Sequence, residues 1–499
     1  MKKTAIILFF ILSLQLLLRL PFLAEPLTQD EGIYSCVAAR MAQGDVLYRD
    51  LVDTKPPGVF YIYLFIYKLL GWSAFALRRA TALFALLPTI VLFFIGRKLR
   101  DEKTGLTAAL FYALFAGGVL VEGAGSNTEV FMVLPLLLAL YFFLAGNIFM
   151  AGLFSGLAPL IKQVAVFNLL ALFGFSFIRG RQWDLKRAGV YLAGCAVPPL
   201  LIVTYFWSKG GLAGFIDCNL FYSLGMVNPS IGYFFFKTLY IMLFENSVLW
   251  VMAGVGVWSI MSSKVKGNGG LLLVWVLLSL VGVFSAGYSF GHYYLQLIPG
   301  LSLLAGIGVA SWSGSRLSLI GRRVLLAVSG VLILLIIASQ YEFYLVYSPD
   351  EISFQRYGTP ANAIARRLGE RLKDITLPRD RIFTKSLYSA VLYAGRIPAG
   401  TNYLTVRGGI GEISFFGRRI FSRPFFIKRS PALMQLINDD FDRSLADYRT
   451  KYFIVYLRDY YAPGDIKQKL NKYDYRFDRE LSDIKNEVLV FGRKQKAER

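Results

Sequence analysis

Apolar runs long enough to cross a bilayer recur along this chain as far as Ile337, and no other feature constrains its fold so strongly. A run of about 20 such residues spans the hydrocarbon core. Backbone polar groups in lipid must be satisfied inside the protein, so the spans are helices or a closed barrel. The runs are continuous rather than alternating, which selects helices. Of the 499 residues, 56% are hydrophobic and only 17% are charged, whereas soluble domains average about 25% charged. The sequence therefore predicts an α-helical polytopic membrane protein.

The net charge of +22 would point to nucleic acid in a soluble chain. In a membrane chain, Lys and Arg collect in cytoplasmic loops. Basic loops occur at Arg97-Lys98, Arg100 and Lys103, at Arg179, Arg181 and Lys186-Arg187, at Lys264 and Lys266, and at Arg316 and Arg322-Arg323. The other loops are acidic or mixed: residues 22–58, "EGAGSNTE" from Glu122 to Glu129, the stretch from Lys209 to Lys237, and "YSFGHYY" around His292. About eleven crossings would put these two kinds of loop on opposite sides. Membrane lipids, not nucleic acid, are then the expected surroundings. The apolar run after Met1-Lys2-Lys3 has two readings, a cleaved signal peptide or an uncleaved first helix with its N-terminus inside and Arg19 snorkelling at the outer end; its length and the lack of a clean small-x-small site favour the second.

The chain divides at the last apolar run: residues 1–340 as the transmembrane domain and 341–499 as an extracytoplasmic α/β domain. Within the latter, "RDRIFTKS", "KYFIVYL" and "EVLVFGR" read as strands, and "PANAIARRLGERLKDI" and "PALMQLINDDFDRSLADYR" as amphipathic helices. Three cysteines, Cys36, Cys195 and Cys218, are too few for a disulfide framework. A single histidine excludes a His-rich metal site, while a divalent ion held by carboxylates stays open.

The first outer loop is the densest acidic cluster of the N-terminal half. Thr28-Gln29-Asp30-Glu31 fits a capping box. Ile33, Cys36, Val37 and Met41 form one apolar stripe that ends at Gly44, so the segment reads as an amphipathic helix lying on the outer membrane surface. Lys55-Pro56-Pro57 breaks helix, Val59 to Leu70 is too short to span, and a span follows from about Ala74 to Ile95. Capping and the helix dipole alone could account for Asp30 and Glu31, and solvation alone for Lys55.

"TQDEGIYSCVAARMAQGDVLYRD" with "DTKPPG" resembles the first outer loop of glycosyltransferases that use polyprenyl-phosphate sugars, the GT-C superfamily, and within it the group of protein O-mannosyltransferases and lipid A aminoarabinose transferases. Asp30-Glu31, Tyr34, Gly44-Asp45 and Lys55-Pro56-Pro57 match the pattern. "LRRATALFALLP", "SNTE", "GLAPLIKQ" and "GHYYLQLIPGLSLLAG" are similar further on. Aminoarabinose transferases carry Glu before Lys-Pro-Pro where this chain has Thr54, so a metal site built on that Glu is not implied.

The resemblance implies an inner-membrane enzyme that moves a sugar from a lipid-phosphate donor to a lipid, glycan or protein acceptor of the cell envelope. It implies Asp30 as general base, with Glu31 beside it, and Lys55, Arg79 and Lys162 as cations for the donor phosphate. Glu129 is the second acidic candidate; its other reading is a residue of a helix start capped by Asn127 or Thr128. For Arg78, Arg79 and Lys162 the other reading is snorkelling to headgroups. For His292 and Tyr293 it is an aromatic belt at the interface. A transporter or flippase of lipid-linked saccharide is the alternative function. Such proteins show repeated halves and midplane sites, whereas the suspect charges here lie at outer helix ends and no internal repeat is evident.

Overall fold

The computed structural model describes residues 2–51, 53–179, 182–222, 236, 239, 243–262, 268–285, 287–288, 290–311, 319–377, 380–384, 387–395, 397–398, 446, 450–456, 470–483 and 488–493. The chain divides into two compact units. One comprises Met1–Ala24, Arg78–Val203 and Val227–Ser348, the other Glu25–Leu77, Thr204–Met226 and Pro349–Arg499.

The first unit is helical and apolar. Four described helices are long and apolar enough to cross a membrane: Lys2–Ala24, Ala74–Leu99, Leu185–Ser208 and Ala327–Leu345. Shorter apolar helices include Thr128–Leu144, Ile148–Leu160, Gln163–Ser176, Ser247–Ser262, Gly269–Ser285 and Ile298–Ser311. Small residues let the backbones meet, as expected where lipid supplies no hydrophobic drive between helices. A Cβ on Gly96 would lie 2.7 Å from Gly105 Cα, and one on Gly256 would lie 2.0 Å from Leu304 O. The Ala74–Leu99 span is interrupted at Ala85. There Gln15 Nε2 donates to Ala85 O at 2.9 Å, and Thr89 Oγ1 donates to Gln15 Oε1 at 2.7 Å. Side chains thus satisfy a backbone group that lipid cannot.

The second unit holds the first outer loop and a five-stranded sheet. The strand order is Ile397–Pro398, Arg381–Thr384, Thr450–Tyr456, Val488–Arg493, Tyr475–Asp483. The first three run parallel, and the last two pairings are antiparallel. The crossover between Arg381–Thr384 and Ile397–Pro398 carries the short helix Tyr388–Tyr393, since parallel neighbours cannot be joined by a tight turn. The three strands expected from sequence and the helix Ala361–Ile375 are present. The strand Tyr475–Asp483 is additional, and the helix expected over 431–449 lies, Ala446 apart, outside the described residues.

The capping box forms as expected. Thr28 N donates to Glu31 Oε2 at 2.8 Å, and Thr28 Oγ1 accepts from Glu31 N at 3.4 Å. The helix runs Gln29–Ala42, and Gly44 follows at φ 102°, a left-handed position suited to glycine. Its setting differs from the membrane-surface helix expected of it. Every residue from Glu31 to Ala38 is buried, packed between the helix Gly58–Leu70 and the helix Tyr388–Tyr393. Ile33, Cys36 and Val37 meet protein rather than lipid, because segments far along the chain cover the stripe. All three cysteines are free and buried.

Candidate functional site

In the first unit, four candidates converge where apolar helices begin and end. The helix Thr128–Leu144 starts at Asn127, which occupies the cap position without a side-chain cap bond. Thr128 and Glu129 therefore enter the helix with their side chains available to each other, and Thr128 Oγ1 donates to Glu129 Oε2 at 2.8 Å. Lys162 follows the end of the helical segment Ile148–Leu160 in extended conformation, φ −151°. Its Nζ forms an ion pair with Glu129 Oε1 and sits 3.8 Å from the centroid of the Tyr293 ring. Glu129 is 1% exposed and Lys162 7%, so neither charge reaches headgroups.

His292 closes the cluster from the turn Gly291–Gln296, between and outside the apolar helices Gly269–Ser285 and Ile298–Ser311. Its Nδ1 lies 2.6 Å from Glu122 Oε2, and its Nε2 lies 3.8 Å from Glu129 Oε1. The ring stacks on Phe290 and meets Tyr293 edge-on. Glu122 adopts φ 55°, a left-handed conformation that non-glycine residues seldom hold unless their surroundings fix it. The Lys162 and His292 turns are joined from behind. Gln296 Nε2 donates to Val164 O at 3.1 Å and to Asn168 Oδ1 at 2.6 Å, and Asn168 Nδ2 donates to Ser279 Oγ at 2.6 Å.

Burial disfavours the His292 cation, but Glu129 and Glu122 outweigh that and hold its pKa above the ordinary 6.5. The folded state therefore binds this proton more tightly than the unfolded chain. The resulting stability is fully present below about pH 6.5 and is lost as pH rises through the raised value. The melting temperature of the wild type is expected to fall more between about pH 6 and pH 9 than that of His292→Gln. Parallel melting profiles for the two proteins would contradict the pairing.

The two neighbouring arginines separate. Arg78 is 1% exposed and its Nη1 donates to Ala124 O at 3.3 Å, in the loop that leads to Glu129. Arg79, the candidate named from sequence, is exposed. Helical spacing distinguishes them: Arg78 shares its face with Thr81, Ala82 and Ala85, all buried. Thr81 and Ser126 hydroxyls lie 2.8 Å apart on the same side.

In the second unit, Asp30 stands on the first turn of the capped helix and is partly exposed, accepting a bond from Tyr34 Oη at 3.3 Å. Tyr34 is packed edge-on by Phe60 and Tyr63. Glu31 is fully buried and engaged with Thr28, the geometry of a cap. The backbone of Lys55 is held on both sides: its N–H donates to Asp53 Oδ1 at 2.8 Å, and its carbonyl accepts from Tyr48 Oη at 2.6 Å. Tyr48 is also left-handed, φ 65°, and is wedged against Phe206 and Phe215. Neither Tyr48 nor Gln296 is apparent from the sequence, since both act through contacts distant along the chain or hidden in an aromatic-rich stretch. Among the described residues, no three His, Cys, Asp or Glu side chains are grouped as ligands of one metal ion.

A family model described as dolichyl-phosphate-mannose-protein mannosyltransferase matches residues 54–207. ArnT from Cupriavidus metallidurans bound to undecaprenyl phosphate superposes with a TM-score of 0.63 at 15% identity, over 98% of both chains. The Archaeoglobus fulgidus oligosaccharyltransferase tethered to an acceptor peptide gives 0.51 at 12% identity, over 99% of this chain and 74% of that one. AglB from the same organism, in complex with an inhibitory peptide and a dolichol-phosphate, gives 0.50 at 12% identity with the same coverage. No curated protein sequence matches the chain.

Proposed function

We infer that this chain is a glycosyltransferase of the GT-C type that moves a sugar from a polyprenyl-phosphate donor to an extracytoplasmic acceptor of the cell envelope, a reading supported by the family match over residues 54–207 and by the shared fold. The observation that carries this reading is a coincidence of two independent facts. The family match begins at Thr54, beside Lys55, and runs through Arg78, Glu129 and Lys162. Those last three are charged residues buried in a largely apolar helical unit. Intramembrane-edge charges are costly to keep and mark functional sites.

The chemistry needs two things of the protein. An acceptor hydroxyl attacks the anomeric carbon, and its proton must be taken up; Asp30 is the base. The bond from that carbon to the donor phosphate oxygen breaks, and polyprenyl phosphate departs with the electron pair. Its negative charge needs preplaced cations, a role for Lys55 and Arg79. Lys162 is held by Glu129 and the Tyr293 ring, so its part is to fix the shape and charge of that cluster beside the sugar or acceptor. Glu31 fixes the start of the helix that carries Asp30. The active side faces away from the basic loops, hence outside the inner membrane. The undecaprenyl phosphate and dolichol-phosphate bound in two of the similar structures support a lipid-phosphate donor. Protein, lipid A and polysaccharide acceptors fit equally.

Donor recognition is testable with undecaprenyl phosphate as the probe. Lys55→Ala removes a charged partner worth about 1.5–3 kcal/mol and is expected to weaken binding about ten- to a hundredfold with the fold intact. An unchanged dissociation constant in both Lys55→Ala and Arg79→Ala would remove these two cations from the donor site.

A further inference from the structure

The residues around Asp30 are tied to the segment after Pro349 at four points. Glu25 Oε2 and Arg356 Nη1 form an ion pair at 2.5 Å with both side chains fully buried, 331 residues apart in sequence. Leu27 N donates to Tyr393 Oη at 3.0 Å. Gly32 lies on the backbone of the helix Tyr388–Tyr393, where a Cβ would come within 2.4 Å of Ser389 N. Cys36 Sγ donates to Tyr388 O at 3.4 Å. From the helix Gly58–Leu70, Tyr67 Oη meets Ser35 Oγ at 2.7 Å.

These contacts bracket Asp30. Glu25 and Leu27 precede the cap at Thr28, and Gly32 and Cys36 lie on the first two turns after it. The ion pair is the informative one. Removing two charges from water costs about what their attraction returns, and a hydrophobic pair often stabilises a protein as well or better. In some proteins what a buried pair adds is a single geometry. Two further ion pairs in the segment, Arg366 and Arg367 with Asp350, are partly exposed and carry no such constraint.

We propose that the segment after Pro349 positions the base: Arg356 and Tyr393 are positioning residues that fix the helix Gln29–Ala42, and with it the Asp30 carboxylate, in the orientation that transfer requires. This rests on the reading of Asp30 as general base. A displacement of about 1 Å can cost on the order of a hundredfold in rate, without any loss of donor affinity.

The test uses the full chain in nanodiscs for binding and exchange. Initial transfer rates are measured in membranes of cells lacking the wild-type copy. Arg356→Glu is expected to slow transfer about a hundredfold, while its dissociation constant for undecaprenyl phosphate stays within about twofold of wild type. Adding Glu25→Arg to it should recover about tenfold, which a loss of side-chain bulk alone would not do. Should Arg356→Glu fail to fold, Tyr393→Phe keeps the ring, removes the hydroxyl that accepts from Leu27 N, and should slow transfer about three- to tenfold. Hydrogen exchange separates this proposal from the base reading. Arg356→Glu or Tyr393→Phe should speed exchange across residues 29–42, and Asp30→Asn should not. Normal transfer with unaltered exchange in a folded Tyr393→Phe, or no rescue by the charge swap, would overturn the proposal. Normal transfer by Asp30→Asn with faster exchange in the positioning variants would overturn the base reading alone.

Discussion

Asp30→Asn is expected to cut sugar transfer by about 10²–10⁴-fold, the contribution of a well-placed general base, while folding and donor affinity stay near wild type. The asparagine keeps the size of the side chain and its bond with Tyr34, but it cannot accept the acceptor's proton at neutral pH. If Asp30 only complements the helix dipole, the same change costs stability on the order of 1 kcal/mol or less and leaves transfer largely intact. The structure separates these outcomes better than the sequence does. The capping role belongs to Glu31, whose carboxylate holds the Thr28 amide, so Asp30 is not needed for it. Transfer assays and thermal melts on one preparation read both quantities, and near-normal transfer would refute the assignment.

The second large effect is expected at Lys162. Lys162→Met leaves Glu129, 1% exposed, without its main counter-charge. Breaking one half of a buried pair costs about 3–5 kcal/mol, a loss that His292, 3.8 Å from Glu129, offsets only in part. The double variant Lys162→Met/Glu129→Gln removes both charges and is expected to recover most of the melting temperature. Transfer should remain lost in the double variant, because the charge pattern of the cluster is gone. If Lys162→Met melts within about a degree of wild type, where 1 kcal/mol shifts a domain by several degrees, the Lys162–Glu129 pair is not the buried contact described.

What the sequence discloses follows the range of the interactions. The helix start at Thr28 is legible because its cap bonds span three residues. The turn at Gly44 is legible because a left-handed residue after a helix favours glycine. The strands Thr450–Tyr456 and Val488–Arg493 stand out as apolar and β-branched, whereas Tyr475–Asp483 is hidden by Arg476, Asp478, Arg479 and Glu480. Its inward positions Tyr475 and Leu481 are too few to declare a period. The stripe Ile33, Cys36, Val37 reads correctly as apolar but not as to what covers it. Its cover is contributed in part by Tyr388, 352 residues beyond Cys36, and a hydrophobic pattern does not distinguish lipid from protein. The pairing of Glu122 with His292 spans 170 residues and is likewise invisible, although each lies in a loop of the non-basic kind. Arg78 and Arg79 differ by one position on a helix, which turns one inward and the other outward.

A glycosyltransferase of this kind consumes a polyprenyl-phosphate sugar on the outer side of the membrane. Mass spectrometry of lipid-linked sugars and envelope glycans, in cells carrying the wild-type protein or Asp30→Asn, tests it most directly. Asp30→Asn cells are expected to accumulate one polyprenyl-phosphate sugar and to lose that same sugar mass from one envelope glycan, lipid or protein, both restored by the wild type. Unchanged donor and acceptor pools would contradict it, as would a donor that accumulates only on the cytoplasmic face, the signature of failed transport rather than failed transfer.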